Sequence, residues 1–127
     1  MEEPLVSFEL REKYLLVIGH GKRDNFKDMV TASELVYAKV LETKSRYLLV
    51  DNRALQINLN MNDAFNIVKR YETVHPLSKD LVSATVIAPR AIEFGRFWKH
   101  VARQRGFTGE IFEDFDEAEK WLLAQMQ

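Results

Sequence analysis

The sequence predicts an α/β domain built around a mostly parallel sheet. Stretches rich in β-forming residues alternate along the chain with stretches of helical periodicity. The segment 46–51 carries the uninterrupted apolar run Tyr-Leu-Leu-Val, which is typical of a central strand buried on both faces. No linker, repeat or low-complexity stretch divides the 127 residues. We therefore expect one domain over residues 1–127, with about five strands and about four flanking helices.

Two strands are predicted at the amino terminus. Residues 5–10 alternate between apolar and polar side chains, whereas residues 14–19 are continuously apolar. The three charged residues between these segments leave room only for a tight turn. This pattern predicts a hairpin whose first strand is antiparallel and lies at the edge of the sheet.

The first predicted helix is also the longest. Asp24 or Asn25 can cap it, and it extends to about residue 44. Its apolar residues recur at helical spacing. The residues assigned to its buried face are Phe26, Met29, Val30, Tyr37, Val40 and Leu41.

Three more helices follow, separated by two β-rich segments at 81–88 and 110–113. Capping residues, proline and glycine set the boundaries of these helices. The helices are predicted from Asn60 or Asn62 to about residue 73, over 91–105, and from Asp114 or Asp116 to about residue 125. Between the central strand and the second helix, Leu55, Ile57 and Leu59 alternate with polar residues, so this segment is an extra strand, a lid or a dimer contact.

Composition excludes several classes of function. Eighteen basic and 19 acidic residues give a formal net charge of -1, which does not indicate a nucleic-acid-binding protein. The chain has no cysteine, so disulfides and thiolate metal sites are excluded. The apolar runs are too short to span a bilayer, and the amino terminus does not resemble a signal peptide. A cytoplasmic location is expected.

Charged residues follow three of the predicted parallel strands. Because the carboxyl ends of parallel strands share one edge of a sheet, we expect these residues to lie close together, near the amino termini of the following helices. The candidate binding residues are His20, Lys22, Arg23, Asp51, Arg53 and Arg90. An anionic ligand or an acidic protein partner would fit this edge. In the alternative interpretation, these loops are simply solvated, and Asp24 and Asp51 neutralise two of the bases.

A second candidate surface lies on the third predicted helix. Arg96, Lys99 and Arg103 recur at helical spacing, opposite the aromatic side chains Phe94, Phe97 and Trp98. This basic face could meet an acidic protein patch, anionic lipid headgroups or a second copy of the chain in a homodimer. It could equally be an ordinary solvated helix face.

No motif for catalysis, a metal or a cofactor is found. The three histidines lie in separate elements without ligand spacing, and Gly19-His-Gly21 lacks the third glycine of a dinucleotide-binding turn. Lys22 is not followed by Ser or Thr, as a phosphate-binding loop requires. We expect no catalytic residue, no metal and no cofactor. A small enzyme that uses His20, Asp51 and Arg53 is kept as the alternative.

Several segments together resemble the STAS-like (SpoIIAA-like) superfamily over nearly the full chain. They are the hairpin start, the long first helix, Tyr47-Leu-Leu-Val-Asp51, the strand 82–88 and the ending Phe112-Glu-Asp-Phe-Asp-Glu-Ala-Glu-Lys-Trp121-Leu122. The resemblance implies a non-enzymatic regulatory domain that binds a protein partner or a small, lipid-like ligand.

The phosphorylation switch of some superfamily members is not carried over. In anti-sigma-factor antagonists, a Ser or Thr at the start of the helix after the central strand is phosphorylated by a partner kinase. Residues 47–72 contain no Ser or Thr, and Asn60-Met-Asn-Asp63 stands at that helix start. Asp63 could supply a fixed negative charge there.

Overall fold

Seven strands and four helices make up the part of the chain that the computed structural model describes, residues 5–127. In chain order they are β1 (Val6–Leu10), β2 (Leu15–Gly19), β3 (Lys22–Arg23), α1 (Phe26–Thr43), β4 (Tyr47–Asn52), β5 (Gln56–Ile57), α2 (Met61–Val74), β6 (Val82–Ile87), α3 (Ile92–Gln104), β7 (Thr108–Phe112) and α4 (Phe115–Ala124). Two short 3₁₀ turns, Pro76–Asp80 and Pro89–Ala91, flank β6.

The main sheet has five strands in the order β1-β2-β4-β6-β7. Strand β1 pairs antiparallel with β2, and the other neighbours pair in parallel. The predicted α/β class and the antiparallel edge strand are therefore confirmed. Each parallel neighbour requires a crossover, which the intervening helices supply.

Capping residues fix where three of the helices begin. The side chains of Asn25, Asn60 and Asp114 accept hydrogen bonds from the backbone amides three residues further on. At α2 the bond is reciprocal, because the Asp63 carboxylate accepts from the backbone N–H of Asn60. Asp63, considered above as a fixed negative charge, therefore stabilises the start of its own helix.

The segment after β4 forms an extra strand. Strands β3 and β5 pair in parallel as a separate two-stranded sheet, with Arg23 opposite Ile57. Two backbone bonds hold them: the amide of Gln56 donates to the carbonyl of Gly21, and that of Asn58 to the carbonyl of Arg23. Segments of two residues are too short to show a hydrophobic period, so the sequence did not predict this pairing.

The two faces of the main sheet are covered differently. Helix α4 lies on one face, where the fully buried Ala118 and Leu122 pack against Leu49, Ala84 and Val86. On the other face, α1 packs near β1 and α3 packs near β7, while the main contacts of α2 are with α1, α3 and the turn Pro76–Asp80. Helix α2 thus bridges its two neighbours and stands away from the central strands.

Candidate functional site

The carboxyl ends of β2, β4 and β6 meet at one edge of the sheet, as predicted. Asp51 lies between Ile18 of β2 and Val86 of β6. The candidate residues that follow these strands form two groups at this edge. One contains Asp51, Arg53 and Arg90; the other contains His20, Lys22 and Arg23.

In the first group, Arg53 is bound to Asp51. Its Nε lies 2.9 Å from Oδ1 of Asp51, and its Nη2 lies 2.8 Å from Oδ2. The hydrogen bond from Arg53 lowers the pKa of the Asp51 carboxyl, even though partial burial opposes the change. An anionic ligand would have to compete with this carboxylate for Arg53.

Arg90 contacts backbone rather than a carboxylate. Its Nη2 donates to the carbonyl oxygens of Arg53 and Leu55, at 3.3 and 3.2 Å. Leu55 is 4% exposed, although it belongs to a connecting segment. Arg90 therefore ties the chain between β4 and β5 to the exit of β6.

In the second group, Arg23 is buried and Lys22 is exposed. The Arg23 guanidinium donates to three carbonyl oxygens, those of His20 at 2.9 Å, Lys22 at 3.3 Å and Leu5 at 2.8 Å. The His20 ring is turned to the amino-terminal strand, where its Nε2 lies 2.7 Å from Oγ of Ser7. The small β3–β5 sheet joins the segments that carry the two groups.

The basic face of α3 is partly neutralised. Lys99 Nζ lies 2.6 Å from Oε1 of Glu110, and Arg103 Nη2 lies 2.8 Å from Oε2 of the same carboxylate. Burial alone would raise the pKa of Glu110, but the hydrogen bond from Lys99 and the two positive charges lower it. Arg96, the remaining member of the predicted face, is exposed.

A cavity of about 220 Å³, not predicted from the sequence, lies between the main sheet and helices α1, α2 and α3. It exists because α2 stands away from the strands. Apolar side chains from the sheet and from all three helices line most of it. They include Val17, Val50 and Ile111 of the sheet, Met29 and Val36 of α1, and Phe94 and Trp98 of α3.

A few polar groups also line the cavity. Ser83 and Thr85 project from the central strand β6, on the face opposite Ala84 and Val86. The phenol of Tyr71 lies across from them on α2, and burial raises its pKa to about 12, so it is neutral at physiological pH. These hydroxyls are hydrogen-bonding groups in an otherwise apolar lining.

A buried histidine forms part of the cavity wall near the start of β6. His75 stacks on Tyr37, with ring centroids 3.9 Å apart, and its Nε2 lies 2.8 Å from Oε1 of Glu34. Arg70 Nη2 lies 2.8 Å from the same oxygen. The hydrogen bonds from Arg70 and His75 lower the pKa of Glu34. The charged groups here are thus paired with one another.

One signal in the sequence could have indicated the cavity. Within the apolar run 82–87, Ser83 and Thr85 alternate with Ala84 and Val86. Polar residues at alternate positions of a central strand put hydroxyls on a covered face of the sheet. Such groups require a hydrogen-bonding partner, and here they face the cavity beneath α2.

Neither a metal site nor a membrane span is found within residues 5–127. No three His, Asp or Glu side chains in this range are grouped so that they could hold a metal ion. No helix in the same range is both long and apolar enough to cross a bilayer.

Comparison with known proteins identifies the fold. No protein-family profile matches the chain, and no curated protein matches it either. Among solved structures, it is similar to an uncharacterised protein of the DUF3478 family from Shewanella loihica, described as having a SpoIIAA-like fold. The two share 19% identity with a TM-score of 0.58, over 96% of this chain and 98% of the other. The predicted resemblance is confirmed at the level of the fold: this chain has a SpoIIAA-like fold.

Proposed function

We propose that this protein is a non-enzymatic domain that binds a small, lipid-like molecule in the cavity between the sheet and helices α1, α2 and α3. The observation that supports the proposal most is the cavity itself, about 220 Å³ of mostly apolar lining with a few hydroxyl groups. Ligand sites in proteins typically combine a concave apolar surface with a small number of polar groups that orient the ligand.

The volume sets the size of the ligand. An apolar cavity of roughly 150 Å³ holds one benzene molecule, so this cavity suits about nine non-hydrogen atoms. A medium-chain alkyl or a small aromatic compound has this size. Full burial of such a molecule would supply most of its binding free energy through the hydrophobic effect.

The cavity also relates to the predicted edge of the sheet. It begins at that edge, where Arg23, Asn52 and Leu55 line it, and it extends along the sheet to Ser78 and Leu81. We therefore place the ligand inside the sheet–helix layer, with the predicted edge at one end. Docking of a protein partner, homodimer formation and reversible membrane association stay predictions.

The arrangement at the sheet edge favours binding over catalysis. Of the three groups considered for an enzyme, Asp51 and Arg53 are bound to each other, and His20 is bound to Ser7. General acid–base catalysis requires a titrating group that can reach a substrate proton. These side chains are instead engaged in local contacts.

The test is direct binding of toluene and of 1-octanol, two neutral compounds of the size that the cavity accommodates, measured by isothermal titration calorimetry. Thr85→Leu places a larger side chain in the cavity, so it should weaken binding of both compounds by about tenfold or more. Thr73→Leu makes the same chemical change on the exposed side of α2 and should leave binding unchanged. The proposal is wrong if neither compound binds, or if both variants bind them like the unaltered protein.

A further inference from the structure

We infer that Arg23 is an anion-binding residue within the cavity, and that the ligand is a medium-chain carboxylate whose head group contacts this guanidinium. The inference rests on the proposed function, because it assigns the chemical class of the molecule that the cavity binds. It is carried by the burial of Arg23, by its lack of a carboxylate partner among residues 5–127, and by the composition of the cavity lining.

Arg23 is a buried cation without an ion pair among residues 5–127. It is 2% exposed, and the salt bridges within residues 5–127 do not include it. The acid whose charge acts on it is Asp28, which forms no salt bridge with it.

 Burial lowers the pKa of Arg23, and the charge of Asp28 only partly offsets this effect. A buried charge without a counter-ion costs free energy, which a ligand carboxylate would recover.

The guanidinium also retains hydrogen-bonding capacity. Arginine has five N–H donors, and Arg23 makes three bonds to carbonyl oxygens within residues 5–127. Two donors are therefore left for a further acceptor. The planar guanidinium binds a carboxylate through two parallel hydrogen bonds, a geometry that an alcohol or an ester cannot reproduce.

The rest of the lining suits the remainder of such a molecule. Apart from Arg23, the ionisable base that lines the cavity is His75, whose Nε2 is bound to Glu34. From Arg23 the cavity continues along apolar side chains, among them Val17, Val50 and Ile57. A chain of about eight carbon atoms matches the available volume.

Arg23 could instead serve only to join three carbonyl groups of the backbone. In that case it would stabilise the protein without any preference for a charged ligand. The two roles are distinguished by comparing ligands of equal chain length that differ only in the head group.

The experiment compares the binding of octanoate, 1-octanol, methyl octanoate and octylamine at pH 7 by isothermal titration calorimetry. Octanoate should bind about tenfold more tightly than octanol, and Arg23→Met should abolish this advantage. Lys27→Met removes an exposed positive charge from α1, outside the cavity lining, and should preserve it. If octanol binds as well as octanoate does, the carboxylate inference is wrong while the proposed function stands. If no compound binds, both are wrong.

A second measurement does not depend on a variant that folds. The pKa of bound octanoate can be read from the ¹³C shift of its labelled carboxyl carbon. Beside a guanidinium this pKa should stay at or below its value in water, whereas in an apolar cavity without a nearby cation it should rise. A raised pKa would overturn the inference.

Discussion

The guanidinium of Arg53 binds both carboxylate oxygens of Asp51, with nitrogen–oxygen distances of 2.9 and 2.8 Å. The backbone amide of Arg53 also donates to Oδ1 of Asp51, at 3.2 Å. This carboxylate therefore organises the turn that leaves β4. The two charged side chains at the exit of the central strand form an ion pair with each other.

Replacing Arg53 by Lys should destabilise the protein by about 0.5–1 kcal/mol, because an ammonium cannot span both oxygens of Asp51. Urea unfolding at pH 7 measures this difference. The pair lowers the pKa of Asp51, so its stabilisation is present above the pKa of the unfolded chain and is lost as the pH falls through the lower folded pKa. The two proteins should therefore converge in stability at strongly acidic pH. A difference that persists there would contradict this account.

Replacing Arg90 by Met should loosen the segment between β4 and β5. The side chain donates to the carbonyls of Arg53 and Leu55, and its loss leaves the small sheet with fewer bonds. Hydrogen exchange should become faster at the amides of Gln56 and Asn58, which close that sheet, while exchange in β2 stays unchanged. Arg96→Met, on the exposed side of α3, is the control. Unchanged exchange at Gln56 and Asn58 would show that Arg90 does not hold the segment.

Gly95→Ala should destabilise the protein by about 1–3 kcal/mol, although alanine favours helix formation. A methyl group at this position of α3 would lie 2.6 Å from Cδ1 of Ile87. Ile87→Val removes that atom, so the double variant should be more stable than the sum of the two single effects predicts. Additive effects in thermal unfolding would rule out this contact as the cause.

Tyr71 should make the protein sensitive to alkali. Burial raises its pKa to about 12 in the folded state, above the usual value of 10.0. The stabilisation from the neutral phenol is complete below the unfolded pKa and is lost as the pH rises through the folded one. Tyr71→Phe should therefore lose less stability than the unaltered protein between pH 9 and pH 11.5, as measured by urea unfolding. Parallel losses in both proteins would contradict the raised pKa.

The elements of the main sheet and all four helices could be predicted because each is long enough to show a hydrophobic period. Strand β3 was missed, and β5 was only one of three alternatives for its segment, because two residues carry no period. Leu41 was placed on the buried face of α1, yet it is 53% exposed. Its neighbour Val40 is buried, and because adjacent helical residues point about 100° apart, Leu41 lies toward the solvent side of the helix.

The candidate site was harder to predict than the fold. The strand pattern predicts that these residues follow the parallel strands, but most of their partners belong to distant segments. Arg23 is an example, because a basic residue that follows a glycine loop is usually solvated, and its burial depends on Leu5 and on the pairing of β3 with β5. The cavity depends on how far α2 stands from the sheet, which is a property of tertiary packing alone.

Dense packing stabilises a domain, whereas a cavity requires open space, and the two faces of this sheet divide these requirements. On the face of α4, small side chains such as Ala84 and Ala118 are fully buried, so helix and sheet approach closely. A substitution at the proposed site beneath α2 leaves that layer untouched. If the proposed ligand binds there, ligand preference could therefore change while this part of the core stays intact.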